Sequence, residues 1–248
     1  MSSQLTPSDL TASSTRAGTG PRCPFAAMFG ARPAEVAVPS LADELKERTK
    51  DAHHRAEFHP LQQRIVRGEV TPTEYEPFAR ALHSIHLVLE GALDRSMTAE
   101  PRLGQVFLNR HRRSVHFAAD LATMGVSNDC PNFRSIDAAL DRIATTAEHS
   151  PIALVGTLYV LEGSTNGGMV IARVLRKAWG LPDGTLRSID PHAAQTRAYW
   201  GEFRAALDGV APTLSARDRA NIVESAEATF VAISAIMDEC ADPAVLDA

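Results

Sequence analysis

Cysteine, aromatic residues and surplus positive charge are all scarce in this chain of 248 residues. Three cysteines, Cys23, Cys130 and Cys240, are too few and too scattered for a disulfide framework or a cysteine-bound metal cluster, which suits a reducing compartment. A formal net charge of -5 leaves no basic footprint for a nucleic-acid backbone, so nucleic acid is not expected as a partner. No stretch approaches the roughly eighteen uncharged apolar residues of a membrane span, and the N-terminus lacks a signal-peptide core. A cytoplasmic protein without a membrane span is expected. No segment alternates apolar and polar residues as a half-buried strand would, and no compositional break divides the chain after Pro39. What remains is an all-α chain whose 44% hydrophobic content suffices for one buried core.

Residues 1–39 are rich in Ser, Thr, Ala, Gly and Pro without a period, and read as a disordered N-terminal tail before a helical domain over 40–240 and a short C-terminal tail, 241–248. Ser40 with Asp43 predicts the start of a first helix that runs to about Phe58, with Leu41, Leu45, Ala52 and Ala56 inward and Lys46 and His53 on a shared face. A short helix from Leu61 ends at Gly68. Thr71-Pro72-Thr73-Glu74 is the clearest helix start, and the helix to about Ser96 buries Tyr75, Phe78, Leu82, Ile85, Leu89 and Leu93. A further helix is expected over Phe107–Met124, with Arg110, His111, Arg112 and Arg113 on a solvated face or as a docking patch for an acidic electron donor. Helices over Ser135–Glu148, from Asp190-Pro191 to Leu207, and from the Ser215 cap to Cys240 complete the chain.

The segment from Ile152 to Leu181 has helical periodicity on both sides of Glu162-Gly163-Ser164-Thr165-Asn166-Gly167-Gly168. Each interior glycine costs a helix about 1 kcal/mol against alanine, so bare backbone is expected to serve a purpose there. Tyr159, Gly163 and Gly167 are four apart and line one face of a continuous helix, which suits a flat ligand, a close helix crossing or a loop.

Leu158-Tyr159-Val160-Leu161-Glu162-Gly163-Ser164 followed by Gly167-Gly168 resembles the distal-helix signature of the heme oxygenases, most closely the bacterial, biliverdin-producing type. Leu45-Lys46-Glu47, Thr49-Lys50, and Ala52-His53 through Ala56-Glu57 resemble the family's first helix. Tyr199-Trp200-Gly201-Glu202-Phe203 adds a weaker match, so the resemblance covers about Leu41 to Cys240.

The resemblance implies a helical bundle that holds heme b as substrate and cofactor, with His53 as the proximal iron ligand and Gly163 and Gly167 over the opposite face. Ser164 and Asn166 become candidates for holding distal waters, or for capping main-chain groups. Lys46 and Tyr159 match the family's propionate contacts. The implied reaction uses O2 and an external electron donor, a reductase or ferredoxin-type protein, to give biliverdin, carbon monoxide and ferrous iron. Its purpose would be iron acquisition or supply of biliverdin to a bilin photoreceptor. The last helix departs from the family in having no Lys or Arg after Arg219, and Asn166 stands where the bacterial motif has leucine. Both departures bear on heme rotation and on which meso carbon is cut. Other readings are a heme-binding or heme-sensing protein that does not turn over, to which Cys23-Pro24 and Cys130-Pro131 would suit a heme-regulatory role, and a di-iron or thiaminase-like member of the fold.

Overall fold

A computed structural model describes residues 40–241, and the expected N-terminal tail, Cys23 and all but the first residue of the expected C-terminal tail lie outside them. Eleven α-helices and no strand occur among the described residues. Two helices of 25 residues form the frame: α4 (Pro72–Ser96) and α11 (Ala216–Cys240), each opened by a reciprocal capping box, Thr71 with Glu74 and Ser215 with Asp218. Around them run α1 (Leu41–Arg48), α2 (Lys50–Glu57), α3 (Pro60–Arg67), α5 (Leu103–Val106), α6 (Ser114–Thr123), α7 (Arg134–His149), α8 (Leu154–Gly163), α9 (Thr165–Trp179) and α10 (Thr196–Val210). The expected stops at Gly68, Gly125 and Gly180 are met by glycines with positive φ.

α11 is long and apolar enough to cross a membrane by length and composition alone, which the charge count along the sequence did not predict. It lies instead within the helix bundle, with α8, α2, α7, α4 and α1 against it, although Val231 stays exposed. The closest approach is to α8, where a Cβ on Gly156 would stand 2.0 Å from the Ile222 carbonyl oxygen. Beside it the buried hydroxyls of Thr157, Ser225 and Thr229 join in a chain at 3.0 and 3.1 Å.

Three expectations about the elements need correction. The first helix is two, divided at Thr49, whose hydroxyl bonds back to the Leu45 carbonyl at 2.7 Å and kinks a ladder that otherwise continues through Thr49 into His53. Phe107–Met124 is not one helix, because an extended residue and a 3-10 turn at Asn109–His111 precede α6. The helix placed at Asp190-Pro191 begins later, at Thr196, after a second 3-10 turn.

Candidate functional site

The helix interruption falls at Ser164, between α8 and α9, and its chemistry is local. Three consecutive carbonyls at the break are each met by a side chain three residues on: Leu161 by the Ser164 hydroxyl at 2.6 Å, Glu162 by the Thr165 hydroxyl at 2.7 Å, and Gly163 by the Asn166 amide at 3.1 Å. Ser-Thr-Asn therefore satisfies the main-chain groups that a bend would otherwise leave wanting. Ser164 and Asn166, candidates for holding distal waters or for capping, make these capping bonds.

The four glycines here do different work. A Cβ on Gly168 would lie 1.9 Å from the Ile189 carbonyl oxygen, so its bareness admits the 186–190 turn, just as Gly156 admits α11. Gly163 faces the Trp200 ring, 3.4 Å from where its Cβ would be. Gly167 is exposed and faces open space. Of the two glycines expected to face a ligand, Gly167 has open space where a Cβ would stand, while at Gly163 an indole lies across that position.

His53 is exposed, with 61% of its side chain accessible; its ring meets the edge of Phe230 from α11 at 5.5 Å, and Glu57 stands 3.7 Å from Nδ1. His54 stacks on Phe58 instead. Lys46 is exposed on α1. Tyr159 is buried, its ring 5.5 Å from Trp200, and burial pushes its phenol above the ordinary range while Arg204 pulls against that shift. Arg204 of α10 reaches Asp43 of α1 at 2.6 Å, and the charges of both act on the Tyr159 phenol; Lys46 lies three residues beyond Asp43 on α1.

Behind the break lies a buried polar cluster that the sequence reading did not assemble. Glu162, 1% exposed, binds His192 at 2.8 Å, and its second carboxylate oxygen has no partner; neither does Nε2 of His111. Burial raises the Glu162 carboxyl, but the His192 hydrogen bond with the charges of His111, His192 and Arg113 brings it below its ordinary value. Burial pushes His111 down to about 4. The expected solvated face over Arg110–Arg113 is overturned: His111 and Arg113 are buried, whereas Arg110 pairs with Glu202 and Arg112 with Asp94. The cause is the missing helix, since a 3-10 and extended segment sends neighbouring side chains in opposite directions.

The chain matches the family model "Heme oxygenase" over residues 39–239. It belongs to the heme oxygenase family. It is 26% identical over 197 residues to heme oxygenase 2 of Mus musculus, an alignment that covers 77% of this chain and 62% of the relative, so the chain spans less than two thirds of that relative's length. In fold it is similar to the heme oxygenase of Leptospira interrogans, with a TM-score of 0.73 and 23% identity over 81% of this chain and 99% of the other. It is also similar to heme oxygenase-1 from Synechocystis, solved in complex with heme, with a TM-score of 0.72 and 22% identity over 81% and 91%.

For a heme oxygenase family member the exposed residues are chemically apt. An imidazole at His53, uncovered main chain at Gly167, the cation Arg204 near the Tyr159 phenol and the exposed Lys46 are groups that suit an iron porphyrin with anionic propionates. Among the described residues no group of three or more His, Cys, Asp or Glu could hold a metal ion. Cys240 is buried at the end of α11, its thiol pushed up to about 12 by burial, and Cys130 is exposed after Asp129.

Proposed function

We propose that this protein is a heme-degrading monooxygenase that opens the porphyrin to biliverdin, carbon monoxide and ferrous iron. The observation that carries the reading is the exposed His53 imidazole together with the open main chain at Gly167, in a chain of this family. Heme, when bound, supplies the iron at which O2 and electrons from a reductase or ferredoxin-type donor are consumed.

The protein's own part is orientation. His53 would hold the iron through an imidazole nitrogen, with its ring against the edge of Phe230. Gly167 lets a flat face approach the backbone, and Ser164, Thr165 and Asn166 keep the bend that presents it. Lys46, Arg204 and Tyr159 are assigned to the propionates, with Arg204 answering the shortage of cations in α11. Trp200 across Gly163 favours a second reading, a heme-binding protein of the cytoplasm that does not turn over, because it occupies space otherwise open to a distal ligand. Product supply to a bilin photoreceptor and iron acquisition both follow from the first reading.

The test is a hemin titration followed by single turnover with a reductant and pigment chromatography. A stoichiometric Soret complex that His53→Ala weakens or alters, and whose Soret band gives way to biliverdin, is expected. A His53→Ala complex with an unchanged spectrum removes the ligand assignment, and a reduced, oxygen-binding complex that stays intact selects the binding-only reading.

A further inference from the structure

Arg113 is 2% exposed, and its guanidinium makes three hydrogen bonds, all to neutral oxygens. Nη1 donates to the Leu161 carbonyl at 2.7 Å and to the Ser164 hydroxyl at 3.2 Å, and Nε donates to the Ser188 carbonyl at 2.7 Å. One side chain therefore ties the break between α8 and α9 to the 186–190 turn. Ser188 is held from its other end as well, where its N–H donates to Asp120 Oδ2 at 2.7 Å. The next residue, Ile189, puts its carbonyl against Gly168, one turn beyond the break.

The base of this clamp is fixed in turn. Glu90 of α4 accepts the main-chain N–H of Arg113 at 2.8 Å and of Ser114 at 2.9 Å, and the Ser114 hydroxyl at 2.6 Å, so a carboxylate from another helix caps the start of α6. Leu186, at the start of the turn, has φ 54°, a conformation that costs an L residue about 1–2 kcal/mol. The turn is therefore held by its fastenings and not by backbone preference.

In an unbroken helix the Leu161 carbonyl would accept the N–H four residues on. Here it faces a cation, and a charge-assisted bond is about twice as strong as a neutral one. Without that guanidinium the carbonyl could return to the ladder and straighten the helix.

Resting on the heme-degrading reading above, we propose that Arg113 is the positioning residue that sets the bend at Ser164, and with it the placement of the Gly167 main chain and the choice of meso carbon. Arg113 does not touch the substrate and acts through Leu161 and Ser164.

The test compares wild type with Arg113→Met, which keeps length but no donors, Arg113→Lys, which keeps charge without the fork, and Ser164→Ala, which removes one acceptor of the guanidinium together with the hydroxyl's own bond to Leu161. In the heme-free protein, hydrogen exchange at 161–168 and 186–192 should rise about tenfold in Arg113→Met while α7 keeps its wild-type rates. With hemin and reductant, Arg113→Lys should bind hemin within about threefold of wild type yet shift the ratio of biliverdin isomers, and Ser164→Ala should shift it the same way by less. Should Arg113→Met fail to fold, the other two variants carry both measurements. Unchanged exchange in the two segments, or an isomer ratio unmoved in both Arg113→Lys and Ser164→Ala, overturns the proposal. If wild type binds hemin without opening it, the functional reading fails, and hydrogen exchange with the spin state of bound hemin still decides the role of Arg113.

Discussion

Trp200 lies across the position that a side chain on Gly163 would occupy, its Cη2 3.4 Å from that point. The glycines of one sequence motif thereby separate into packed, covered and open. Alanine gains about 1 kcal/mol over glycine in a helix where nothing obstructs it, whereas forcing an atom into filled space costs about 1–3 kcal/mol. Gly167→Ala should accordingly stabilise the heme-free protein by about 1 kcal/mol, Gly163→Ala should be near neutral, and Gly168→Ala and Gly156→Ala should each cost about 2–3 kcal/mol. Urea unfolding of the four variants checks the order. Only Gly167→Ala should also depress hemin turnover while raising stability, and equal losses of stability at Gly167 and Gly168 would contradict the distinction.

Arg204 and Asp43 form an ion pair of which 40% and 69% of the side chains are accessible, a setting in which such pairs contribute about 0–1 kcal/mol. Arg204→Ala should therefore lower stability by less than about 1 kcal/mol, while the loss of a charge-assisted contact raises the hemin Kd about tenfold. Lys46→Ala should weaken binding less. A hemin affinity unchanged in Arg204→Ala removes that residue from the propionate end.

His111 dictates a slope in the acid stability profile. Its folded value is held at about 4 by burial, against an ordinary value of 6.5, so between those limits the unfolded chain takes up a proton that the folded chain refuses. Stability should fall as pH drops from about 6.5 to about 4, and His86, pushed the same way by burial, adds to it. His111→Phe keeps a ring against Phe203 and removes one titration, so the slope should become shallower although the Leu108 N–H loses its acceptor. Denaturant midpoints measured across that range test this, and an undiminished slope would exclude His111 as a source.

The elements whose ends carry their own chemistry were legible in the sequence. Thr71 with Glu74, Ser215 with Asp218, and the glycines at 68, 125 and 180 mark their boundaries by local hydrogen bonding or by a positive φ, and neither depends on distant residues. The kink at Thr49 and the 3-10 turn before α6 depend on one side-chain bond and on a cap borrowed from Glu90, which no local pattern displays. The site divided similarly. Ser164 and Asn166 could be named from the break, and capping was one of the two roles they suggested. Arg113, His192 and Arg204 meet their partners Ser164, Glu162 and Asp43 only through the fold, at separations of 51, 30 and 161 residues. A usable signal existed in Glu90, a carboxylate four residues from His86 and one from Leu89 in a helix whose buried positions are mostly apolar.

Because Gly156 brings the backbone of α8 against that of α11 at Ile222, and α11 bears Phe230 against His53 two turns further on, the histidine of α2 and the helix leading into the Ser164 bend are both seated on α11. A shift of α11 against α8 would therefore move residue 53 relative to the Ser164 bend, and the close approach at Gly156 sets that register.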